Sequence, residues 1–225
     1  MIEKIMGYIK SAAVKLTDTG FFHVFGSSII NKVISFTSGI ILVRILTKAD
    51  YGVYTYANTI LGFCMMLNGF GMSSAVLQVC SEKTDSETRL CVYEYGLGLG
   101  AKVNAALGGL IILIALFVPL KIEGANGYLA LMCLMPLFTF IPDLQKVYLR
   151  TELRNTDYAY ANTLTAAVTF VLSVGLALTI QAKGLIFAQY IAFAITAILL
   201  RNKFGVPLAV ESEISESDKH SLISI

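Results

Sequence analysis

The stretch Gly26–Leu46, GSSIINKVISFTSGIILVRIL, decides the fold class. Wound as a helix at about 100° per residue, it gathers Ser28, Asn31, Lys32, Ser35, Ser38 and Gly39 into an arc of about 120°. The opposite side is Ile29, Ile30, Val33, Ile34, Phe36, Ile40 and Ile41, broken only by Thr37. A bilayer core needs about 20 mostly apolar residues per helix, and this segment supplies them with one polar stripe. A charge near mid-span costs at least about 2.5–3.5 kcal/mol on insertion scales. Lys32 is about ten residues from either end, so snorkelling to an interface is strained. Either Lys32 lines a polar cavity with Asn31 and Ser35 and attracts an anionic group, or it is a structural lysine paired with a buried carboxylate or carbonyls. Charges inside membranes mark sites by default, which favours the cavity.

Working outward, the chain reads as six apolar spans, roughly Phe22–Leu46, Val53–Val79, Tyr93–Val118, Gly127–Tyr148, Tyr158–Ile180 and Lys183–Leu200. Connectors are short and hold most of the charge, as in SEKTDSETR (Ser81–Arg89) and KVYLRTELR (Lys146–Arg154). Runs this long exclude β-barrel strands, which would alternate. The expected class is an all-α integral membrane protein with six transmembrane helices. It divides into a cytoplasmic N-terminal segment (1–20), a six-helix membrane lobe (21–203) and a polar cytoplasmic linker (204–225).

Composition agrees. The chain of 225 residues is 56% hydrophobic and 14% charged, with mean hydropathy +0.72. Soluble domains carry about 25% charge. The net charge of +2 leaves no electrostatic footprint for nucleic acid. The four cysteines, Cys64, Cys80, Cys91 and Cys133, show neither a disulfide framework nor metal spacing. The two histidines, His23 and His220, sit in no catalytic pattern, and no cofactor is expected. With the N-terminus inside, eleven of the 17 Lys and Arg fall on inner segments and four on outer ones. The positive-inside rule then makes both termini cytoplasmic.

The other spans add weaker candidates. In the second, Thr55, Asn58, Gly62, Gly69 and Ser73 share one arc. Helix packing explains most of them, and Asn58 is kept as a cavity candidate. The third opens with Glu94, Gly96, Gly98, Gly100, Lys102 and Asn104. Its GLGLG run lacks the spacing of a dinucleotide fingerprint and reads as close helix packing. Lys102 either faces the cavity or snorkels to the inner interface. The fourth holds Pro136 and Pro142, which predict a kink, and ends at Asp143, a gate candidate or part of an interfacial charge cluster. Asn162, Thr163, Thr165 and Gln189 in the last two spans read as scaffold.

The segment Gly26–Gly52, continuing through LVRILTKADYGVYTYA and LNGFGMSSAV, resembles the opening of the bacterial oligosaccharide flippases. These are the O-antigen and capsule-unit exporters of the MATE-like superfamily. Arg44, Tyr51, Gly52, Asn68, Gly69 and Gly71 carry the likeness. It implies one six-helix lobe of a two-lobed transporter in the bacterial cytoplasmic (inner) membrane. It implies transfer of a polyprenyl-pyrophosphate-linked oligosaccharide by alternating access, for O-antigen, lipopolysaccharide or capsule synthesis. Lys32 then faces the pyrophosphate and Arg44 is a basic residue at the outer end of the first helix, either interface anchor or gate.

The resemblance covers one lobe, so the implied partners are membrane lipids, the lipid-linked oligosaccharide and a second lobe or second copy to complete the cavity. Polysaccharide polymerase machinery is a further candidate partner; nucleic acid is not. A drug exporter of the same superfamily is one alternative, but it would want an acidic residue deep in a span. A non-transporting scaffold or partner subunit of a polysaccharide assembly complex is another. A membrane enzyme is a distant third, since no carboxylate or histidine cluster marks a span end.

Overall fold

A computed structural model describes residues 21–83, 85–208 and 222. The N-terminal segment 1–20 and most of the linker at 204–225 therefore lie outside the described residues. Among the described residues seven α-helices follow in order: α1 (Phe21–Ile45), α2 (Lys48–Met65), α3 (Met72–Glu82), α4 (Ser86–Phe117), α5 (Ala125–Leu131), α6 (Met135–Thr151) and α7 (Asn155–Phe204). The described residues include no strand.

Local chemistry sets the helix ends. The Thr47 hydroxyl accepts the Asp50 N–H at 3.1 Å and starts α2, and the Asp85 carboxylate accepts the Thr88 N–H at 2.9 Å and starts α4. At the α4–α5 turn, Asn126 donates to the Ala115 and Val118 carbonyls at 2.7 and 2.8 Å. Those carbonyls belong to the end of α4, where intrahelical partners run out.

The second expected span is not one helix. It breaks at the 3₁₀ turn Asn68–Gly71, where Gly69, Phe70 and Gly71 all have positive φ (63°, 47° and 79°). Two glycines make that path cheap, and Phe70 is carried between them. The fourth span also breaks: α5 and α6 are bent by 40°. Pro136 sits in the first turn of α6, where its missing N–H costs nothing, and Pro142 lies inside that helix.

A straight helix of 50 residues would be about 75 Å long. Instead α7 leaves helical conformation at Ile180 and Gln181 (φ 54°, ψ −140°) and folds back. Arg154, at its start, donates to the Phe204 carbonyl at 3.0 Å. The Lys203 ammonium lies 3.9 Å from the centroid of the Tyr160 ring. Gly184 faces the Leu176 carbonyl, and no side chain fits there. The reversal falls on the Gln181–Ala182 connector read from sequence.

By length and apolarity, four helical stretches are able to cross a membrane, and five if bent α5–α6 counts as one span. The sequence reading expects six. The difference lies in α7, which is continuous by this measure although its two arms run antiparallel.

Packing falls into three clusters. Val76, Tyr93, Leu97, Phe140, Leu144 and Leu149 join α3, α4 and α6. The Phe140 ring fills the space left by Gly69 and Gly100, and a Cβ on Gly69 would lie 2.6 Å from it. The glycines of α4 therefore bring helices together, as their spacing predicts. Leu61, Leu107, Ile111, Leu129, Met132 and Ile186 form the second cluster. The third, Leu46 with Ala177, Ala182 and Leu185, pins the end of α1 to the reversal of α7. Elsewhere α1 packs chiefly on α7, and its Ile29, Ile30, Val33, Phe36 and Ile40 remain exposed as a lipid-facing side.

One end of the lobe carries paired charges. Arg89 pairs with Glu152 at 2.7 Å and Arg154 with Asp157 at 2.8 Å, in the same end as Lys203. Tyr93 and Gln145 hold the chain beyond α7 there: Tyr93 donates to the Pro207 carbonyl at 2.8 Å, and Gln145 to those of Ala197 and Val206 at 3.3 and 3.5 Å.

Candidate functional site

The stripe on α1 meets a second polar line on α7. Asn162, Thr165, Ala166 and Thr169 recur at helical spacing on the first arm of α7 and share a face. Asn31, Lys32 and Ser35 of α1 come against Asn162, Thr165 and Ala166, enclosing a groove of about 270 Å³. The Thr165 hydroxyl donates to the Ala161 carbonyl at 2.8 Å, so it is satisfied within its helix. The Asn31 Oδ1 is buried and has no hydrogen-bond partner among the described residues. Lys32 is exposed and forms no ion pair with a described carboxylate. Asn31 and Lys32 line the same groove.

That space continues along α1. Ser35 also lines a wide, mostly apolar groove of about 550 Å³ with Phe36, Gly39, Ile40, Val43, Arg44 and Tyr51, so this part of the track runs over exposed apolar residues of α1. Space beside Gly39 is open, with no atom within 4 Å of where its Cβ would lie. Two cations, Lys32 and Arg44, thus bracket one open track on the same helix. The serines before them are local: Ser27 and Ser28 both donate to the Val24 carbonyl, at 2.8 and 2.9 Å.

The other candidates lie elsewhere. Asn58 lines a separate groove of about 280 Å³ with Gly62, Thr139, Thr169 and Gln189. Lys102 is exposed and lines none of these grooves. The buried face of α4 runs through Gly100, Asn104 and Leu107. Lys102 stands two residues from Gly100 and Asn104, which turns it to the opposite side. Asp143 is half exposed and pairs with Lys146 at 2.7 Å, one turn along α6. The structure therefore joins Asn31, Lys32, Ser35 and Arg44 in one track, and sets Asn58, Lys102 and Asp143 apart from it.

Asn162, Thr165 and Gln189, which the sequence reads as scaffold, line these grooves. Their signal is the line of small polar residues on one face of a span, which isolated threonines and amides obscure. Sequence reasoning missed the role of Asn104, whose Oδ1 accepts the Gly69 N–H at 3.1 Å and supports the broken second span. Among the described residues, no three His, Cys, Asp or Glu side chains gather as a metal site.

Residues 41–210 match the family model described as "Polysaccharide biosynthesis protein". The chain belongs to this family. The match of this polysaccharide biosynthesis protein begins within α1, so Asn31, Lys32 and Ser35 precede it and their assignment rests on geometry. Curated proteins give no match. Among solved structures, its fold is similar to a multidrug resistance MATE family transporter of the MOP superfamily in an outward-facing conformation. The TM-score is 0.71 at 13% identity, over 91% of this chain and 49% of that one. It is also similar to a MOP superfamily transporter from Pyrococcus furiosus, described as having a binding pocket of reversed polarity that suggests a different function. There the TM-score is 0.65 at 11% identity, over 89% of this chain and 49% of that one. The polysaccharide biosynthesis protein thus has the fold of half a MATE-type transporter and spans about half the length of these two chains.

Proposed function

We propose that this chain is the N-terminal lobe of a flippase that carries polyprenyl-pyrophosphate-linked oligosaccharides across the cytoplasmic membrane by alternating access. Counting the arms of α7 separately gives the lobe six spans, with the end that carries Arg89, Arg154 and Lys203 in the cytoplasm. A second lobe or a second copy closes the track on α1. The observation that carries this reading is Lys32, a cation without a described carboxylate partner in a polar groove within a membrane span. An anionic headgroup fits that groove, and the Lys32–Arg44 track leaves an exit along α1 for it. Membership in a polysaccharide biosynthesis family supports a sugar-bearing cargo over a cationic drug.

The test is lipid binding by the chain in phosphatidylcholine nanodiscs. Undecaprenyl pyrophosphate should bind more tightly than undecaprenol, and Lys32→Gln should weaken the pyrophosphate lipid about tenfold, or about 1.4 kcal/mol. Equal binding of the two lipids, or no loss in Lys32→Gln, sinks the proposal.

A further inference from the structure

The groove at Asn58 differs in chemistry from the track on α1. Its polar lining is Asn58, Thr139, Thr169 and Gln189, and no charged residue lines it. An ion entering it would lose water without gaining a counter-charge, which is costly in a membrane interior. Neutral hydroxyl groups meet no such penalty, because amides and hydroxyls both donate and accept. Gln189 donates its amide N–H to the Tyr54 hydroxyl at 3.2 Å, which holds the side chain in place. Asn58 is exposed into the groove and has no hydrogen-bond partner among the described residues. Phe193, Met65 and Met135, from three different helices, add apolar lining.

The two grooves are separate but neighbours along α7. Thr165 lines the Lys32 groove, and Thr169, one turn along the same face of α7, lines the Asn58 groove. Four residues of helix advance by about 6 Å. One extended molecule can therefore set an anion at Lys32 and a neutral ring at Asn58. A volume of about 280 Å³ lies at the small end of ligand pockets and suits a single ring.

We infer that the Asn58–Thr169–Gln189 groove is a binding site for a neutral pyranose. It deepens the flippase reading and rests on it for the source of the sugar, which is the first ring beyond the pyrophosphate. The amides accept and donate to ring hydroxyls, while Phe193 and the two methionines cover the ring's C–H face.

Gly62 and Gly39 each have open space where a Cβ would stand, so a thiol fits at either position. In Gly62→Cys and Gly39→Cys proteins in phosphatidylcholine nanodiscs, maleimide labelling at each position is read by peptide mass spectrometry. The probes are glucose, galactose, rhamnose and N-acetylglucosamine at about 0.1 M, enough to fill a site of millimolar affinity. Glucuronate, inorganic pyrophosphate and tetraphenylphosphonium complete the set. At least one neutral pyranose should slow labelling at position 62 and leave position 39 unchanged. Adding Asn58→Leu or Thr169→Val should weaken that protection about fivefold, the cost of one lost hydrogen bond. No protection by any neutral sugar overturns the inference, as does equal or better protection by glucuronate or tetraphenylphosphonium. Pyrophosphate should protect position 39. Its failure to do so while a sugar still protects position 62 counts against the anion site alone.

Discussion

Gly69 donates its backbone N–H to the Asn104 side-chain oxygen across 3.1 Å, and both residues are buried. One helix thereby repairs the break in another. Without that oxygen the Gly69 N–H would be unsatisfied in a region with no water to replace it. Asn104→Leu should lower stability by about 1–3 kcal/mol, offset in part because the Asn104 Nδ2 itself lacks a partner among the described residues. Lys102→Leu, on the exposed side of the same helix, should stay within about 0.5 kcal/mol. Thermal unfolding in one detergent compares the two, and equal losses would refute the assignment.

Phe140 occupies the space that Gly69 and Gly100 leave empty. Gly100→Ala should therefore destabilise by about 1–3 kcal/mol through overpacking. Combining it with Phe140→Leu should cost less than the two single changes added together, the mark of direct contact. Gly39→Ala, which meets open space, should be neutral or stabilising. Additive behaviour in the cycle would show that the ring is not what Gly100 accommodates.

Arg89 and Glu152 tie α4 to the end of α6 at 2.7 Å, with each side chain under one-fifth exposed. A double-mutant cycle with Arg89→Ala and Glu152→Ala should give a coupling of about 1 kcal/mol that shrinks as salt is raised. A coupling of zero at low salt would make the pair ornamental to stability.

Asp85 caps α4 outside the spans, and the Thr88 N–H and hydroxyl hold its carboxyl below the ordinary range. A carboxyl lowered by folding contributes stability above its unfolded value, about 3.9, and loses it as pH falls through the lower folded value. Hydrogen-exchange protection in the first turn of α4 should be flat from pH 7 to 5 and fall below about 4. Asp85→Asn should flatten that fall. An unchanged profile in the variant would assign the pH dependence to another group.

Much of this architecture was legible in the residues, for reasons that particular positions make plain. Gly96 and Gly100 announce close helix contact because nothing but hydrogen fits there. Lys32 announces a polar interior because an isolated mid-span charge is costly. Lys102 left two readings open, because hydropathy places a residue at a depth and not on a side; only the buried line through Gly100 and Asn104 fixes its direction. The groove at Asn162 and Thr165 was not legible because its other wall comes from α1, over a hundred positions earlier in the chain. The break at Asn68–Gly71 was hidden by its own apolar flanks, which keep the hydropathy of one uninterrupted span.

The attachment of α1 has a mechanical consequence. Beside Lys32 one wall of the track is α7, held by α6 and by its own second arm. The other is a single helix, fastened at Ile45–Leu46 to the α7 reversal and resting elsewhere on one neighbour. A helix clamped at one end is a lever with its fulcrum at the clamp. Its displacement grows with distance from Leu46, so Lys32 sweeps further than Arg44 for the same small rotation. A pivot of α1 about Leu46 would therefore open the track more at Lys32 than at Arg44.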